Sequence, residues 1–422
     1  MKEYLKKARE HPAEDRQVLI ERVSSILDSV RKEGNEALRR LTKRFDGVEL
    51  EEFRISEREL AAAENSLPSE LKEGLQLIVE HVTAFAKAQR QCLLDMEKEM
   101  FPGLHLGHRF IPVGLVGAYV PGGRYPTMSA PMMTIIPAKV AGVLRVVACS
   151  PPSYRGRIHP AILFGMRASG ADEIYALGGA QAIGALSYGT ETIQPVDMIV
   201  GPGNQYVAEA KRQVFGTVGI DLIAGPSEVM VIADENARPD WVAADILAQC
   251  EHDTQARGAL ITTSRPIAEA VLREIEKQLQ VLSTAEVVKQ SWVDNGEVIL
   301  VDNLEEAAEV ANEWAPEHLE VHTADPKRLL PLLQNYGSLF LGEEAAEVFA
   351  DKLAGTNHIL PTLRSARYTG GLWVGMFLKC VTHQWCIAET MDYLAPIVVR
   401  QAIYEGMDAH RASAAIRIHR VS

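Results

Sequence analysis

Cysteine is scarce in this chain of 422 residues, and none of the five, Cys92, Cys149, Cys250, Cys380 and Cys386, belongs to a Cys-x-x-Cys pair. An odd, scattered set fits neither a disulfide framework nor a thiolate zinc ribbon, and predicts free thiols. Long apolar runs are missing too: no stretch reaches the roughly 18 apolar residues that span a bilayer. The opening Met1-Lys2-Glu3-Tyr4-Leu5-Lys6-Lys7 carries charge where an export signal has its apolar core. The expectation is a cytoplasmic protein with no membrane partner. Positive charge is in deficit, with 43 Lys and Arg against 56 Asp and Glu and a net charge of -13. Phosphate backbones need clustered cations, which argues against nucleic acid as a general partner. No internal repeat and no low-complexity tract interrupts the chain.

What is present is a globular composition, 47% hydrophobic and 23% charged, in a chain too long for one ordinary core. Apolar residues at three- and four-residue intervals predict charge-rich helices over 16–33, 35–45, 56–66 and 68–96. From Pro112 the pattern alternates, with strands over 113–120, 145–149, 173–177 and 197–200 and helices over 128–141, 159–169, 180–188 and 206–215. A second alternating unit places strands over 228–233, 258–263, 297–301 and 319–322 and helices over 241–250, 267–282 and 304–314. The residues after Gly371 return to helix, with a basic end at 411–420. Regular alternation predicts an α/β fold of two Rossmann-like parallel-sheet domains with helical N- and C-terminal segments. The expected division is a tail over 1–22, a discontinuous domain over 23–119 and 227–370, a second domain over 120–226, and a C-terminal segment over 371–422. In such sheets ligands bind at the carboxyl ends of the strands.

Three glycine turns follow strands, at Gly122-Gly123, Gly178-Gly179 and Gly201-Pro202-Gly203. Glycine lets backbone approach a ligand, and the helix N-terminus that follows attracts anions. None matches the dinucleotide fingerprint, so ordinary βα turns explain them equally well. Gln249 and His252, three apart on a helix, share a face. They read as half of a metal or substrate site, or as a capping amide beside a satisfied core histidine. Glu317-His318 follows Pro316 at a helix-to-strand junction and pairs a near-neutral base with a carboxylate, although exposed Glu-His pairs are common. Asp351 and His358 flank Gly355, and His410 draws no attention by itself. Amide oxygen, imidazole and carboxylate together make a donor set that zinc accepts, but spacing does not unite three separate segments.

Longer stretches do unite them. Gly201-Pro202-Gly203-Asn204, Val218-Gly219-Ile220-Asp221, Ala224-Gly225-Pro226-Ser227-Glu228-Val229, the run 249–253, the run 315–320, and Gly355-Thr356-Asn357-His358 with Leu360-Pro361-Thr362 stand in this order. In these the chain resembles the histidinol dehydrogenase family from about residue 15 to its end. The resemblance implies zinc held by Gln249, His252, Asp351 and His410. It makes His318 the base that takes the substrate hydroxyl proton and Glu317 the group that activates water. Ser227, His358 and Glu405 would bind substrate, and Tyr119, Gln181 and Asn204 would line an NAD site. The C-terminal segment would cross to a second subunit, so that Glu405 and His410 complete the neighbour's site in a homodimer. Cys250, about 100° round the helix from each neighbour, is expected to point away from the metal.

The implied reaction oxidises a primary alcohol through an aldehyde to a carboxylate with two NAD, L-histidinol to L-histidine in histidine biosynthesis. Two loops depart from the family's usual pattern: Arg124-Tyr125-Pro126, and Tyr368-Thr369-Gly370-Gly371-Leu372-Trp373-Val374-Gly375. Both look like the paralogous sulfopropanediol dehydrogenases, which oxidise 2,3-dihydroxypropane-1-sulfonate to sulfolactate. Ser227 and His252-Asp253 look like the histidinol enzyme. A non-catalytic relic of the fold would usually have lost a ligand or the base, whereas every expected position is filled.

Overall fold

The computed structural model describes residues 2–9, 16–122 and 125–418. Strand β1 (Glu3–Lys6) precedes four helices, α1 (Arg16–Glu33), α2 (Asn35–Asp46), α3 (Glu57–Ser66) and α4 (Ser69–Gln91), and two strands, β2 (Met96–Phe101) and β3 (Leu104–Pro112). A first alternating unit follows: β4 (Leu115–Tyr119), α5 (Ala130–Ala141), β5 (Arg145–Ser150), α6 (Pro160–Ala168), β6 (Glu173–Ala176), α7 (Gly179–Tyr188), β7 (Met198–Val200), α8 (Gln205–Val214) and β8 (Gly219–Ile220). The second contains β9 (Glu228–Ala233), α9 (Pro239–Cys250), β10 (Arg257–Thr262), α10 (Arg265–Leu279), α11 (Ala285–Asn295), β11 (Glu297–Leu300), α12 (Leu304–Trp314), β12 (His318–His322) and β13 (Ser338–Leu341). The chain closes with α13 (Glu347–Phe349), a π-helical turn over Ala350–Ala354, β14 (Leu378–Cys386), α14 (Ala388–Glu405) and α15 (Asp408–Ala415).

The two sheets repeat one topology. One runs β6-β5-β4-β7-β8, all parallel, and the other β1-β11-β10-β9-β12-β13, parallel except for β1. In each, the unit's first strand is central and the chain reverses direction between β4 and β7 or between β9 and β12. Strands β4, β9 and β12 are buried along their whole length, which is why most read as near-continuous apolar runs. Helices cover both faces, giving each sheet an apolar cluster on either side. No helix among the described residues is long and apolar enough to cross a membrane.

Strands occur where helix was expected. β1 pairs antiparallel with β11 inside the N-terminal tail. α4 stops at Gln91, short of the expected 96, and β2 begins at Met96. Inside the C-terminal segment, β14 joins β3 and β2 in an antiparallel sheet of order β14-β3-β2. Most side chains of β2 and β14 are exposed, so no alternation of apolar residues marks them. The pairing of β3 with β14 also joins segments distant in sequence. α11, of mixed composition, and β13, only four residues long, carry no clear period either.

Candidate active site

Glu317 and His318 stand where α12 hands over to β12. Ala315 ends the helix in a left-handed conformation, and the next residues enter the sheet beside β9. Both side chains are buried. The Glu228 N–H donates to Glu317 Oε2 at 2.9 Å, and His318 Nδ1 lies 2.9 Å from the Glu228 carbonyl oxygen. A carbonyl only accepts, so Nδ1 carries the hydrogen and Nε2 keeps its lone pair. That Nε2 is buried with no hydrogen-bond partner. Burial holds the His318 imidazole below its ordinary value and pushes the Glu317 carboxyl well above its own, with Glu228, Glu347 and Asp351 adding to the rise. With the imidazole held neutral, their separation of 3.7 Å makes no ion pair.

The ends of the strands do not follow the usual rule in this sheet. His318 opens β12 and Ser227 immediately precedes β9, so these groups sit at the amino edge. α9 runs back across the sheet and delivers its last turn to the same edge. Gln249 on that turn is buried, and neither its amide oxygen nor its amide nitrogen has a partner. His252 lies just past the helix and is exposed, within electrostatic reach of both Glu347 and Asp351. Asp351 occupies the π-helical turn, a distortion common at functional sites. Burial pushes its carboxyl up, but His358 and Lys352 outweigh that and hold it at about 2. His358 Nδ1 is 3.6 Å from Asp351 Oδ1, and its Nε2 is 3.1 Å from Ser129 Oγ. An orphaned buried amide oxygen, an anionic carboxylate and an imidazole are donor types that fit a zinc-type ion.

Two residues are elsewhere, Glu405, expected to bind substrate, and His410, expected as a ligand. Glu405 ends α14 and His410 lies on α15, and both are exposed on a hairpin whose helices pack chiefly on each other. Cys250 points into the apolar cluster behind α9, as expected, and burial lifts its thiol to about 11.

The other sheet offers its carboxyl ends. Tyr119 closes β4, and its hydroxyl accepts from the Gly179 N–H at 3.1 Å. Gln181 is buried in the first turn of α7. Gly201 has φ +115, and a Cβ there would run into the Tyr119 carbonyl, so only glycine permits this approach. Lys211 Nζ donates to the Gly201 carbonyl at 2.9 Å and pairs with Asp221, whose other oxygen accepts from the Gly201 N–H at 2.7 Å. Asn204 caps α8, its Oδ1 accepting from the Tyr206 and Val207 N–H groups at 3.0 and 3.2 Å. Tyr119, Gly179 and Gly201 thus meet where the strand order reverses. Gly123 and Arg124, in the first glycine turn, lie outside the described residues.

Sequence reasoning missed Glu228, whose backbone orients both Glu317 and His318, and Glu347, whose Oε1 is 3.9 Å from His318 Nε2. Glu228 falls in the run 224–229 that carries the resemblance, but it acts through its backbone, which no residue type marks, and Glu347 lies in no such run. It also passed over Asp245, Glu320 and His322, although His-x-Glu-x-His on a strand puts three ionisable groups on one face.

Comparison with known proteins covers nearly the whole chain. The histidinol dehydrogenase family model matches residues 9–418. A histidinol dehydrogenase homolog of Shouchella clausii is 48% identical over 398 residues, 94% of this chain and 94% of its own. Histidinol dehydrogenase of Rhizobium meliloti is 46% identical over 399 residues, 94% of this chain and 91% of its own. The crystal structure of histidinol dehydrogenase from Elizabethkingia anophelis has a TM-score of 0.92 at 34% identity, over 98% of this chain and 94% of that one. Similarity in sequence and fold over this extent is that of common descent, and the chain belongs to the histidinol dehydrogenase family of oxidoreductases.

Proposed function

We infer that the protein oxidises L-histidinol to L-histidine through the aldehyde, in the cytoplasm, with zinc and two NAD. The observation that carries this reading is the state of His318: a buried neutral ring with Nδ1 engaged on a carbonyl and Nε2 bare. Such a nitrogen takes the proton of a hydroxyl brought within hydrogen-bond reach. Glu317 serves the second half-reaction. A carboxyl with a raised pKa is a stronger base once ionised, which is what drawing a proton from the water that adds to the aldehyde requires. In balance, alcohol, water and two NAD+ become carboxylate, two NADH and three protons.

Gln249, His252, Asp351 and His410 would hold the zinc, and Tyr119, Gln181 and Asn204 would line the NAD site. When bound, zinc orients and polarises the substrate and NAD accepts a hydride in each oxidation. Ser227, His358 and Glu405 would hold the substrate, the Glu405 carboxylate suiting a cationic amine or imidazole. The exposed positions of Glu405 and His410 support a homodimer in which each subunit completes the other's site. Steady-state NADH formation from L-histidinol, with NAD and zinc saturating, tests the reading. Absence of turnover removes histidinol as substrate.

A second reading keeps the chemistry and changes the substrate to 2,3-dihydroxypropane-1-sulfonate. It is favoured by the loop over 368–375, where the Leu372 N–H donates to the Ile359 carbonyl at 2.9 Å. The stretch that departs from the usual histidinol pattern therefore rests beside His358. Turnover of the sulfonated diol and none of histidinol would establish this alternative.

A further inference from the structure

Beyond the catalytic pair, the same face of β12 carries two more ionisable groups. Side chains alternate across a strand, so His318, Glu320 and His322 share one face while Leu319 and Val321 join the apolar cluster on the other. Glu320 is 0% and His322 1% exposed. His322 Nε2 is 3.3 Å from Glu320 Oε2 and 3.8 Å from Asp245 Oδ2, on α9 one turn before Gln249. Glu320 Oε1 accepts from the Glu347 N–H at 2.7 Å, but Glu320 Oε2 and both ring nitrogens of His322 have no hydrogen-bond partner.

Two carboxylates and an imidazole are thus packed against one another, with no hydrogen bond joining the ring to either carboxylate. Left so, they are strongly unfavourable. The ring lies too far from both carboxylates for good hydrogen bonds and at the right spacing for ligands of one ion, since donors about 2.0–2.2 Å from a metal lie roughly 3–4 Å apart. All three donor atoms fall within 4.8 Å of one another. We propose that Asp245, Glu320 and His322 form a second divalent-cation site, of the zinc or manganese class, distinct from the one at Gln249, His252, Asp351 and His410. One imidazole and two carboxylates are the donors such ions share. The ion ties α9 to β12 one helical turn from Gln249, so its role is to hold the elements that carry the catalytic groups. Without a cation the cluster must keep protons instead, and burial and Glu320 do push the Asp245 carboxyl to about 8.

This inference is independent of the substrate and of the proposed catalytic zinc. Its test is a metal count by mass spectrometry on the full chain, stripped with chelator, reloaded with Zn(II) or Mn(II) and desalted. Wild type is expected to retain two ions per chain, His252→Ala one, and His252→Ala with His322→Gln none. An ion in His252→Ala that the His322→Gln change does not remove overturns the proposal. So does His252→Ala that retains no ion, the result expected if a shared proton fills the cluster. If wild type holds one ion that survives His252→Ala and is lost with His322→Gln, this site stands and the catalytic-zinc reading falls. Circular dichroism verifies folding, and Glu320→Gln, which keeps the side chain's shape, gives the same count should His322→Gln not fold. Zn(II) is also expected to raise the Tm of His252→Ala, and no rise counts against the site.

Discussion

At the residue scale the proposed role of His318 as a base turns on which of its nitrogens carries hydrogen. The Glu228 carbonyl decides it, because an acceptor at 2.9 Å from Nδ1 commits the proton there. Replacing His318 with Asn is expected to leave zinc and NAD binding largely intact and to cut turnover by about a hundredfold or more. NAD titration and steady-state rates on the same preparation check it, and near-normal turnover would remove His318 from the mechanism. The pH dependence follows from the same burial. Only the unprotonated ring is a base, and its folded value lies below the ordinary 6.5, so the active form persists to lower pH. The acid limb of kcat/KM is expected below 6.5, and a limb centred above about 7 would contradict a depressed imidazole.

At the element scale the glycine turn after β7 is held by a buried brace. Lys211 and Asp221 are both nearly inaccessible, and between them they engage the carbonyl and the N–H of Gly201. Lys211→Met would leave Asp221 buried and unpaired, a loss of about 3–5 kcal/mol. Urea unfolding measures it, and a weaker apparent NAD affinity is expected with it because the turn would lose its anchor. Lys211→Met with Asp221→Leu should recover part of the stability without recovering NAD affinity. Gly201→Ala acts more locally: the added methyl meets the Tyr119 carbonyl in a left-handed backbone, so NADH formation should fall with the fold preserved.

For the whole molecule, the α14–α15 hairpin is the part that a single chain leaves unexplained. Tyr393, Ile403 and Tyr404 are 71%, 59% and 93% exposed, an apolar display of the kind that interaction surfaces have. If a second copy covers it and receives His410, the inactive variants His318→Asn and His410→Ala should complement each other. Each mixed dimer would contain one site with both residues intact, so subunit exchange should restore about a quarter of wild-type activity. No recovery, with exchange verified by mixed-mass dimers, would place His410 in its own subunit's site.

Sequence alone determined the alternating units, because buried parallel strands and amphipathic helices write their periods directly into the chain. It also marked Glu317-His318 and Gln249-His252, whose residue types are uncommon at the end of an apolar run. It could not mark β2 and β14, whose mostly exposed side chains have no period, or the pairing of β3 with β14, which joins segments far apart in the chain. Nor could it show that the proposed catalytic groups lie at the amino edge of one sheet while the glycine turns lie at the carboxyl edge of the other. Tertiary structure alone decided that, and it alone put Asp245 against Glu320 and His322. The tautomer of His318 likewise depends on a carbonyl 90 positions away. Local propensity is read from neighbours in sequence, whereas protonation and metal binding are set by neighbours in space.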